Sequence, residues 1–291
     1  MKTAIVTDTN SSMSVKEGRE RGIFVLSMPV IIDGKMYREG EDITNDEVFR
    51  AMAEQRQVST SQPSLGEVID LWEEVFAQGY HEIVHIPMSS ALSSSYNSAK
   101  ALAADYQGRI QVANNYRISL TLYEAVLDAK FMADQGKGAI EIRRALEEQA
   151  DHATIYLTVE TLQYLKRSGR VTAAAAALAD FLNIKPVLTI QGDRLDAFAK
   201  VRGILTAERK MLEATKRDLQ RFKDRPAKSV MVGSVGTFLN REAVDNWSKK
   251  IMDTFPEHPY LYHPLPTSIA CHTGPNAFAT GFVVLEHEFE K

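Results

Sequence analysis

The amino-acid sequence predicts an α/β protein with two domains, an N-terminal domain built on a parallel, Rossmann-like sheet and a C-terminal α+β domain. The chain has 291 residues, which suits one large domain or two ordinary ones. Strand-like and helix-like segments alternate up to about residue 150, as in a parallel sheet covered by helices. The later segments alternate less strictly, which favours antiparallel pairing. We therefore place the domains at residues 1–152 and 153–291.

Composition and charge exclude several classes of protein. Hydrophobic residues make up 44% and charged residues 25% of the chain, as in ordinary globular proteins. The formal net charge of −4 gives no electrostatic reason to expect nucleic acid or an anionic membrane as a partner. No apolar run approaches the roughly 20 residues that span a bilayer. The N-terminus becomes polar too early for a signal peptide, so a cytoplasmic protein is expected. A single cysteine, Cys271, excludes an internal disulfide and a multi-cysteine metal site.

The first predicted strand, residues 3–7, runs into a loop of short polar side chains, Asp8-Thr-Asn-Ser-Ser12. Open α/β sheets bind ligands in loops at the carboxyl ends of their strands. The same residue types are typical of an Asx or Ser/Thr turn that only starts the next helix. The sequence leaves both interpretations open.

A hairpin and a capped helix are predicted next. Residues 23–32 are apolar and interrupted at Pro29, and Asp33-Gly34 predicts a hairpin turn before residues 35–38. Thr44-Asn-Asp-Glu47 has the capping-box pattern that starts a helix.

A serine-rich loop, residues 86–98, lies between a predicted strand at 80–86 and a predicted helix at 99–104; we call it the serine loop. Six of its thirteen residues are serine. Hydroxyls and free backbone N–H groups at a helix N-terminus suit an anion or a carboxylate, whereas single serines usually serve as N-caps and turn formers.

A second hydroxyl-rich loop occupies residues 59–64. If the strands are parallel, both loops and the Asp8 loop converge on one edge of the sheet.

The remaining elements complete the two domains. Further strands are expected at residues 110–113, 154–159, 183–190, 196–201, 229–235, 260–265, 268–272 and 281–286. Further helices are expected at residues 67–78, 120–135, 139–149, 160–165, 172–182, 204–222 and 240–255. The basic segment Lys166-Arg-Ser-Gly-Arg170 suits either a solvated helix C-terminus or a functional cluster of cations.

Seven short motifs, spread in order over nearly the whole chain, resemble those of one family. They are Asp8-Thr-Asn-Ser-Ser12, Thr60-Ser-Gln-Pro-Ser64, Ser89-Ser-Ala-Leu-Ser-Ser-Ser-Tyr-Asn-Ser98, Leu162-Gln-Tyr-Leu-Lys-Arg-Ser-Gly-Arg-Val171, Leu182-Asn-Ile-Lys-Pro-Val-Leu188, Lys200-Val-Arg-Gly203 and His272-Thr-Gly-Pro275. The family is the DegV family of bacterial fatty-acid-binding proteins. One such motif would be weak evidence, whereas seven in the family's order are highly specific.

The resemblance implies two domains with a long-chain fatty acid between them, its acyl chain in an apolar tunnel. It also implies a protein that is not a catalyst itself and has no cofactor besides the bound fatty acid. Such a protein presents the carboxylate to a separate ATP-dependent fatty acid kinase, which makes acyl phosphate for phospholipid metabolism. By the same resemblance, the carboxylate site would consist of Thr60, Ser61, Ser93, Ser94, Arg170 and His272, and Arg202 would face the kinase or its phosphates.

The tunnel walls are expected to come from apolar faces that flank the polar loops. Burial of a long acyl chain would supply affinity, at roughly 0.8 kcal/mol for each buried CH₂. Methionine walls would suit an adaptable pocket. The candidates for the tunnel are Ile5, Met28, Met88, Leu92, the alanine run at 173–177, Phe181 and Leu188.

His272 follows what reads as an apolar strand, where a histidine is ordinarily a core or capping residue. The resemblance makes it a candidate relay instead, because a neutral imidazole can pass a hydrogen bond to a hydroxyl or take a proton near neutral pH. Among the other histidines, His81 and His85 are four residues apart, but they fall on a strand-like run. We therefore expect no metal site.

Three positions depart from the family's pattern. Ser94 stands where the family usually has glycine, and its Cβ and hydroxyl would narrow the approach to the head group or add a donor. Ser168 replaces the first glycine of a Gly-Gly-Arg motif. Asn276 replaces the glycine after His-x-Gly-Pro, which is tolerated if its φ is positive.

An alternative function is a serine-dependent lipid hydrolase or acyltransferase that uses Ser93 with His272. Against it, the sequence has no Gly-x-Ser-x-Gly elbow and no obvious acidic third member. A nucleotide-dependent kinase is a third class, but the chain has no Gly-x₄-Gly-Lys-Ser/Thr loop, so it is not expected to bind ATP alone.

Overall fold

The computed structural model of the protein describes residues 2–177, 184–191, 194–287 and 289. Within these residues the chain forms a four-stranded, a three-stranded and a six-stranded sheet, with helices packed against them. The predicted mixed α/β class is therefore confirmed. The four-stranded sheet is built from residues before 113, and the six-stranded sheet begins at Ala153. The domain boundary at residue 152 stays a prediction.

The first sheet is parallel throughout, which confirms the predicted parallel sheet of the N-terminal half. All six residues of its strand β1 are buried, because helices cover both faces of the sheet. Its strands, in spatial order, are β2 (Phe24–Leu26), β1 (Thr3–Asp8), β6 (Glu82–Ile86) and β7 (Ile110–Val112). Its helices are α1 (Val15–Arg21), α3 (Leu65–Ala77), α4 (Ser95–Ala103), α5 (Ser119–Asp134) and α6 (Ala139–Glu148).

A small antiparallel sheet interrupts the alternation between β2 and α3. The predicted hairpin is present, since Asp33 and Gly34 have φ values of 50° and 80° and connect its first two strands. The third strand contains residues 58–60, so part of the predicted hydroxyl-rich loop is a strand that pairs with β3. The elements are β3 (Pro29–Ile32), β4 (Lys35–Arg38), β5 (Val58–Thr60) and the capped helix α2 (Asn45–Ala53).

The six-stranded sheet is mixed but mostly antiparallel, in agreement with the antiparallel pairing predicted for the second half. Strands β11 and β12 run parallel, and the other neighbouring strands run antiparallel. Its spatial order is β10 (Arg194–Arg202), β9 (Ile184–Gln191), β8 (Ala153–Thr158), β13 (Phe278–Val284), β11 (Val230–Gly236) and β12 (Tyr260–Pro264). The helices are α7 (Gln163–Ser168), α8 (Ala173–Ala176), α9 (Ile204–Leu219), α10 (Arg241–Thr254) and α11 (Thr267–Thr273).

The prediction of a strand at residues 268–272 is wrong, because this segment forms helix α11. Periodicity cannot distinguish a short apolar run in a strand from one in a helix. Pro266 stands immediately before the helix, and Gly274 ends it with a φ of 73°. The helix buries Cys271 in a core that also contains residues of β3 and α2.

Other predicted boundaries move by a few residues. Helix α4 begins at Ser95 rather than at 99, which shortens the serine loop, and α7 begins at Gln163 rather than at 160. The alanine-rich helix begins as predicted, but its continuation from 178 to 182 lies outside the described residues. Helix α1 was not predicted, although Ser14 caps it by accepting a hydrogen bond from the backbone N–H of Glu17.

Helix α5 packs between the two larger sheets. It contacts β1 on one side and β8, β11 and β13 on the other. Accordingly Leu122 and Val126 belong to the core beneath the parallel sheet, whereas Leu120 belongs to the core beneath the six-stranded sheet. The loop that precedes α5 therefore lies where the two halves of the chain meet.

Candidate functional site

A cavity of about 370 Å³ lies where residues from both halves of the chain come together. This volume is within the usual range for small-molecule sites. Six of the described lining residues are apolar, namely Met28, Met88, Leu92, Ile118, Leu165 and Ile269. The polar lining consists of Asn10, Thr60, Ser61, Gln62, Ser93, Ser94, Ser98, Arg170, Ser268, His272 and Thr273.

All six residues that the family resemblance implied at a carboxylate line this cavity: Thr60, Ser61, Ser93, Ser94, Arg170 and His272. They come from four separate segments, the end of β5, the serine loop, the end of α7 and helix α11. Three of the six single-residue tunnel candidates also line it, namely Met28, Met88 and Leu92, whereas the alanine run at 173–177 does not.

The remaining candidates are not among the described residues that line the cavity. Ile5 and Leu188 are fully buried in the two large cores and are not part of the cavity lining. Phe181 lies outside the described residues. Arg202 is exposed at the end of β10 and does not line the cavity.

Thr60 and His272 form the central polar contact of the cavity. Thr60 Oγ1 and His272 Nε2 are 2.8 Å apart, although the residues are 212 positions apart in the chain. Helix α11 brings them together because it packs against β5 as well as against α7. Burial, aided by the positive charge of Arg170, lowers the pKa of His272 to about 4, so the imidazole is neutral at neutral pH. A neutral His272 with its proton on Nε2 donates to Thr60, whose own O–H is then free to donate into the cavity.

The serine loop places Ser93 and Ser94 at the cavity. Ser93 Oγ accepts a hydrogen bond from the backbone N–H of Ser95 at 3.2 Å and lies 2.9 Å from Ser95 Oγ. Ser94 is the N-cap residue of α4, but its side chain makes no capping hydrogen bond and is exposed. The hydroxyl that distinguishes Ser94 from glycine is therefore available to solvent or to a ligand.

Asp8 fixes the start of the serine loop. Its Oδ2 accepts from the backbone N–H of Met88 at 3.1 Å, and its Oδ1 accepts from the backbone N–H of Asn10 at 3.0 Å. Burial raises the pKa of Asp8 to about 6. The Asp8 loop thus positions two lining residues, Met88 and Asn10, by direct backbone contacts.

Arg170 is the only lysine or arginine among the described lining residues. It follows α7, and its Nη1 donates to the backbone carbonyl of Ser168. No carboxylate within the described residues pairs with it. Its charge is therefore a ready counter-charge for an anion in the cavity.

A buried polar network behind the cavity was not predicted. Its centre is Glu39, which is 4% exposed and contacts the hydroxyl of Thr9 and both the backbone N–H and the hydroxyl of Ser268. Burial raises the pKa of Glu39. The sequence carried one signal for this network, the polar Asp8 loop, but a lone glutamate after a strand gave none.

Two other departures from the family pattern have simple structural consequences. Asn276 has a φ of 54°, the positive value at which asparagine can replace glycine. Ser168 donates from its hydroxyl to the backbone carbonyl of Leu165 at 3.1 Å, at the end of α7.

The described residues contain no group of three or more histidine, cysteine, aspartate or glutamate side chains that could hold a metal ion. In the same part of the chain, no helix is both long and apolar enough to cross a membrane.

Comparison with known proteins gives a consistent family assignment. A family model described as an uncharacterised protein of the DegV family matches residues 2–285. A DegV domain-containing protein of Lactococcus lactis is 33% identical over 224 residues, which cover 75% of this chain and 78% of that protein. Another from Staphylococcus aureus is 27% identical over 286 residues, covering 98% of this chain and 99% of that protein.

Solved structures have the same fold. A structure described as fatty acid binding of a DegV family protein from Thermus thermophilus has a TM-score of 0.88 and 28% identity, covering 98% of this chain and 100% of that one. DegV from Bacillus subtilis, described as a fatty acid binding protein, has a TM-score of 0.83 and 23% identity, covering 97% of this chain and 99% of that one, and at this identity the likeness shows the fold alone.

Proposed function

Because the chain belongs to the DegV family, we propose that it binds a long-chain fatty acid in the cavity and presents the carboxylate to a separate ATP-dependent kinase. The relative from Thermus thermophilus, 28% identical to this chain, is described as binding fatty acid. On its own the protein would be a substrate carrier and not a catalyst. We place this role in the cytoplasm, with no cofactor apart from the bound fatty acid.

The observation that carries the proposal is the 2.8 Å contact between Thr60 Oγ1 and His272 Nε2 at the wall of a partly apolar cavity. A carboxylate is costly to bury unless it receives hydrogen bonds or a counter-charge. The Thr60 hydroxyl, freed by the imidazole of His272, would supply one hydrogen bond, and Ser93 would supply another. Arg170 would supply the counter-charge.

The acyl chain would lie along the apolar part of the lining, which includes Met28, Met88 and Leu92. Each CH₂ removed from water contributes roughly 0.8 kcal/mol, so the chain supplies most of the affinity. Methionine side chains adapt their shape easily, which suits a flexible ligand.

The head-group donors suit a carboxylate that must still react. Neutral hydroxyls hold it less strongly than a bidentate arginine would. The kinase would transfer the terminal phosphoryl group of ATP to a carboxylate oxygen, which gives acyl phosphate and ADP. Ser94 is exposed and lines the cavity, which supports access to the head group from solvent. Arg202 is also exposed, which suits the proposed contact with the kinase or its phosphates.

The geometry does not favour the serine-hydrolase alternative. A nucleophilic serine needs a base within hydrogen-bond reach. Here the imidazole of His272 is hydrogen-bonded to Thr60, and the hydroxyl of Ser93 is hydrogen-bonded to that of Ser95.

Four measurements test the proposal, two of the carrier role and two of the hydrolase alternative. Mass spectrometry of lipid extracted from the purified full-length protein should find long-chain fatty acid, and an empty or non-acyl extract from protein that also fails to take up added fatty acid would contradict the binding. A bacterial fatty acid kinase and ATP should then yield acyl phosphate, trapped as the hydroxamate, only when all three components are present. Hydrolysis of a chromogenic ester, or labelling of Ser93 by a fluorophosphonate, would contradict the carrier role.

A further inference from the structure

Asn10 has a buried amide group at the cavity with an unused hydrogen-bond donor. The residue is 2% exposed and lines the cavity, and its Nδ2 has no hydrogen-bond partner among the described residues. Most buried polar groups in proteins are hydrogen-bonded, and a donor without a partner is unfavourable. Because Asn10 also lines the cavity, this donor is available to a group that binds there.

The rest of Asn10 is held firmly. Its backbone N–H donates to Asp8 Oδ1 at 3.0 Å, and its side-chain Oδ1 accepts from the hydroxyl of Ser268 at 2.8 Å. Since Oδ1 is already occupied, Nδ2 is the side-chain atom left for a ligand. A donor that is oriented before binding loses little freedom when the ligand arrives.

Glu39 supports this orientation. The Oγ atom of Ser268 lies 2.8 Å from both Asn10 Oδ1 and Glu39 Oε2. A hydroxyl has one proton, so Ser268 can serve both acceptors only if Glu39 itself carries a proton. Burial raises the pKa of Glu39 and thereby favours that protonated form, which leaves the Ser268 proton for Asn10.

We propose that Asn10 is a further head-group contact, whose Nδ2–H donates to the carboxylate of the bound fatty acid. This inference rests on the proposed fatty-acid binding and adds a residue that the family motifs did not assign to the head group. In this arrangement Ser268 and Glu39 are positioning residues, which act on the ligand only through Asn10.

The chain offers a matched control in Asn115. It is also buried, at 1% exposed, and its Nδ2 also has no partner among the described residues. Its Oδ1 accepts from the backbone N–H of Arg117 at 3.2 Å, but it does not line the cavity. The Asn115→Ala variant therefore removes the same kind of group from a similar environment without removing a ligand contact.

The test compares two ligands that differ only in the head group, hexadecanoate and hexadecanol. We expect Asn10→Ala to weaken hexadecanoate binding by about 10- to 100-fold, because a hydrogen bond to a charged group is lost. Hexadecanol should lose much less, because its hydroxyl is neutral. Asn115→Ala should leave both affinities unchanged. Equal losses for both ligands, or no loss for hexadecanoate, would overturn the role of Asn10.

A measurement on the wild-type protein covers the case in which Asn10→Ala does not fold. With isotope-labelled asparagine, the side-chain amide resonance of Asn10 should move downfield when hexadecanoate binds, and much less with hexadecanol. An amide resonance that is the same in both complexes would contradict the proposal. If wild-type protein binds no hexadecanoate at all, it is the proposed function that fails.

Discussion

Glu39 Oε1 accepts a hydrogen bond of 2.7 Å from the backbone N–H of Ser268, and this bond joins two segments that are 229 residues apart in the chain. Glu39 follows strand β4 of the small antiparallel sheet, whereas Ser268 lies in the first turn of α11. The same helix carries His272, so Glu39 helps to fix the distance between His272 and Thr60. One buried carboxyl group thereby connects the overall fold to the head-group site.

The first prediction concerns the charge of Glu39. Glu39→Gln should fold with a free energy of unfolding close to that of the wild type at neutral pH, because burial raises the pKa of Glu39 and favours its neutral form. Glu39→Ala should lose about 2–4 kcal/mol, because the donors of Thr9 and Ser268 are left without an acceptor. Urea unfolding measures both values.

The exposed neighbour Glu41 provides the control for Glu39. Glu41→Gln should change the free energy of unfolding by less than about 0.5 kcal/mol. A Glu39→Gln variant as unstable as Glu39→Ala would contradict the inference that the neutral carboxyl is the stabilising form.

The second prediction concerns the hydroxyl of Thr60. Thr60→Val keeps the shape of the side chain but removes the hydroxyl, so the affinity for a long-chain fatty acid should fall about tenfold with little loss of stability. Thr60→Ser should restore most of the affinity. Ser59 is exposed on the neighbouring position of β5, so Ser59→Ala is the control and should bind like the wild type. Full retention of fatty acid by Thr60→Val would remove Thr60 from the head-group site.

The sequence identified the loops of the site better than its helices. Thr60, Ser93 and Arg170 lie in motifs whose order along the chain indicated the family, and the structure brings them to one cavity. Helix α11 was predicted as a strand, because five residues at 268–272 are too few for a periodicity to appear. Its helical form depends on tertiary packing, which buries Cys271 against the small sheet and α2.

The polar network behind the cavity shows a different limit. Glu39 and Ser268 become partners only through folding, and the sequence of neither segment indicates that the two side chains meet. Asn10 was within a loop recognised as a possible ligand loop, but its individual role depends on the orientation of one amide group. Sequence patterns specify the residue types near a site, whereas the pairing of hydrogen-bond donors with acceptors depends on how the folded chain orients each side chain.

The third prediction concerns the pH dependence of stability. The pKa of His272 is lowered to about 4 in the folded protein, whereas its ordinary value is 6.5. As pH falls through this interval, the unfolded chain takes up a proton that the folded protein does not. His272 should therefore reduce the free energy of unfolding progressively below pH 6.5, by at most about 3 kcal/mol at pH 4.

The comparison with His272→Gln isolates this effect. Asp8 and Glu39 have raised pKa values, so the folded protein holds their protons more readily than the unfolded chain, and these two groups act in the opposite direction as pH falls. The difference between the wild-type and His272→Gln curves removes their contribution and should grow as pH falls from 6.5 towards 4. A nuclear magnetic resonance titration that finds His272 protonated near pH 6.5 would contradict the prediction.

The fourth prediction concerns the counter-charge of Arg170. Arg170→Gln should weaken binding of a fatty acid by about tenfold or more but change the affinity for the matching alcohol little, because only the acid is charged. Arg167 is an exposed cation on the preceding helix, so Arg167→Gln is the matched control and should have a small effect. If both variants lost affinity equally, the general positive charge of this segment would be responsible rather than Arg170.

The fifth prediction concerns the apolar part of the cavity. Each additional CH₂ that enters the cavity should strengthen binding about fourfold, the equivalent of roughly 0.8 kcal/mol. Leu92 lines the cavity, and Leu92→Phe would occupy space that the acyl chain needs. Long chains should therefore lose affinity in this variant while short chains bind as before, so the dependence of affinity on chain length should level off at a shorter acid. Titration of a series of saturated acids measures this, with Leu239→Phe as a control at an exposed position. A uniform loss at every chain length would indicate that Leu92 acts on the head group or on folding, and the acyl chain would then have to lie elsewhere.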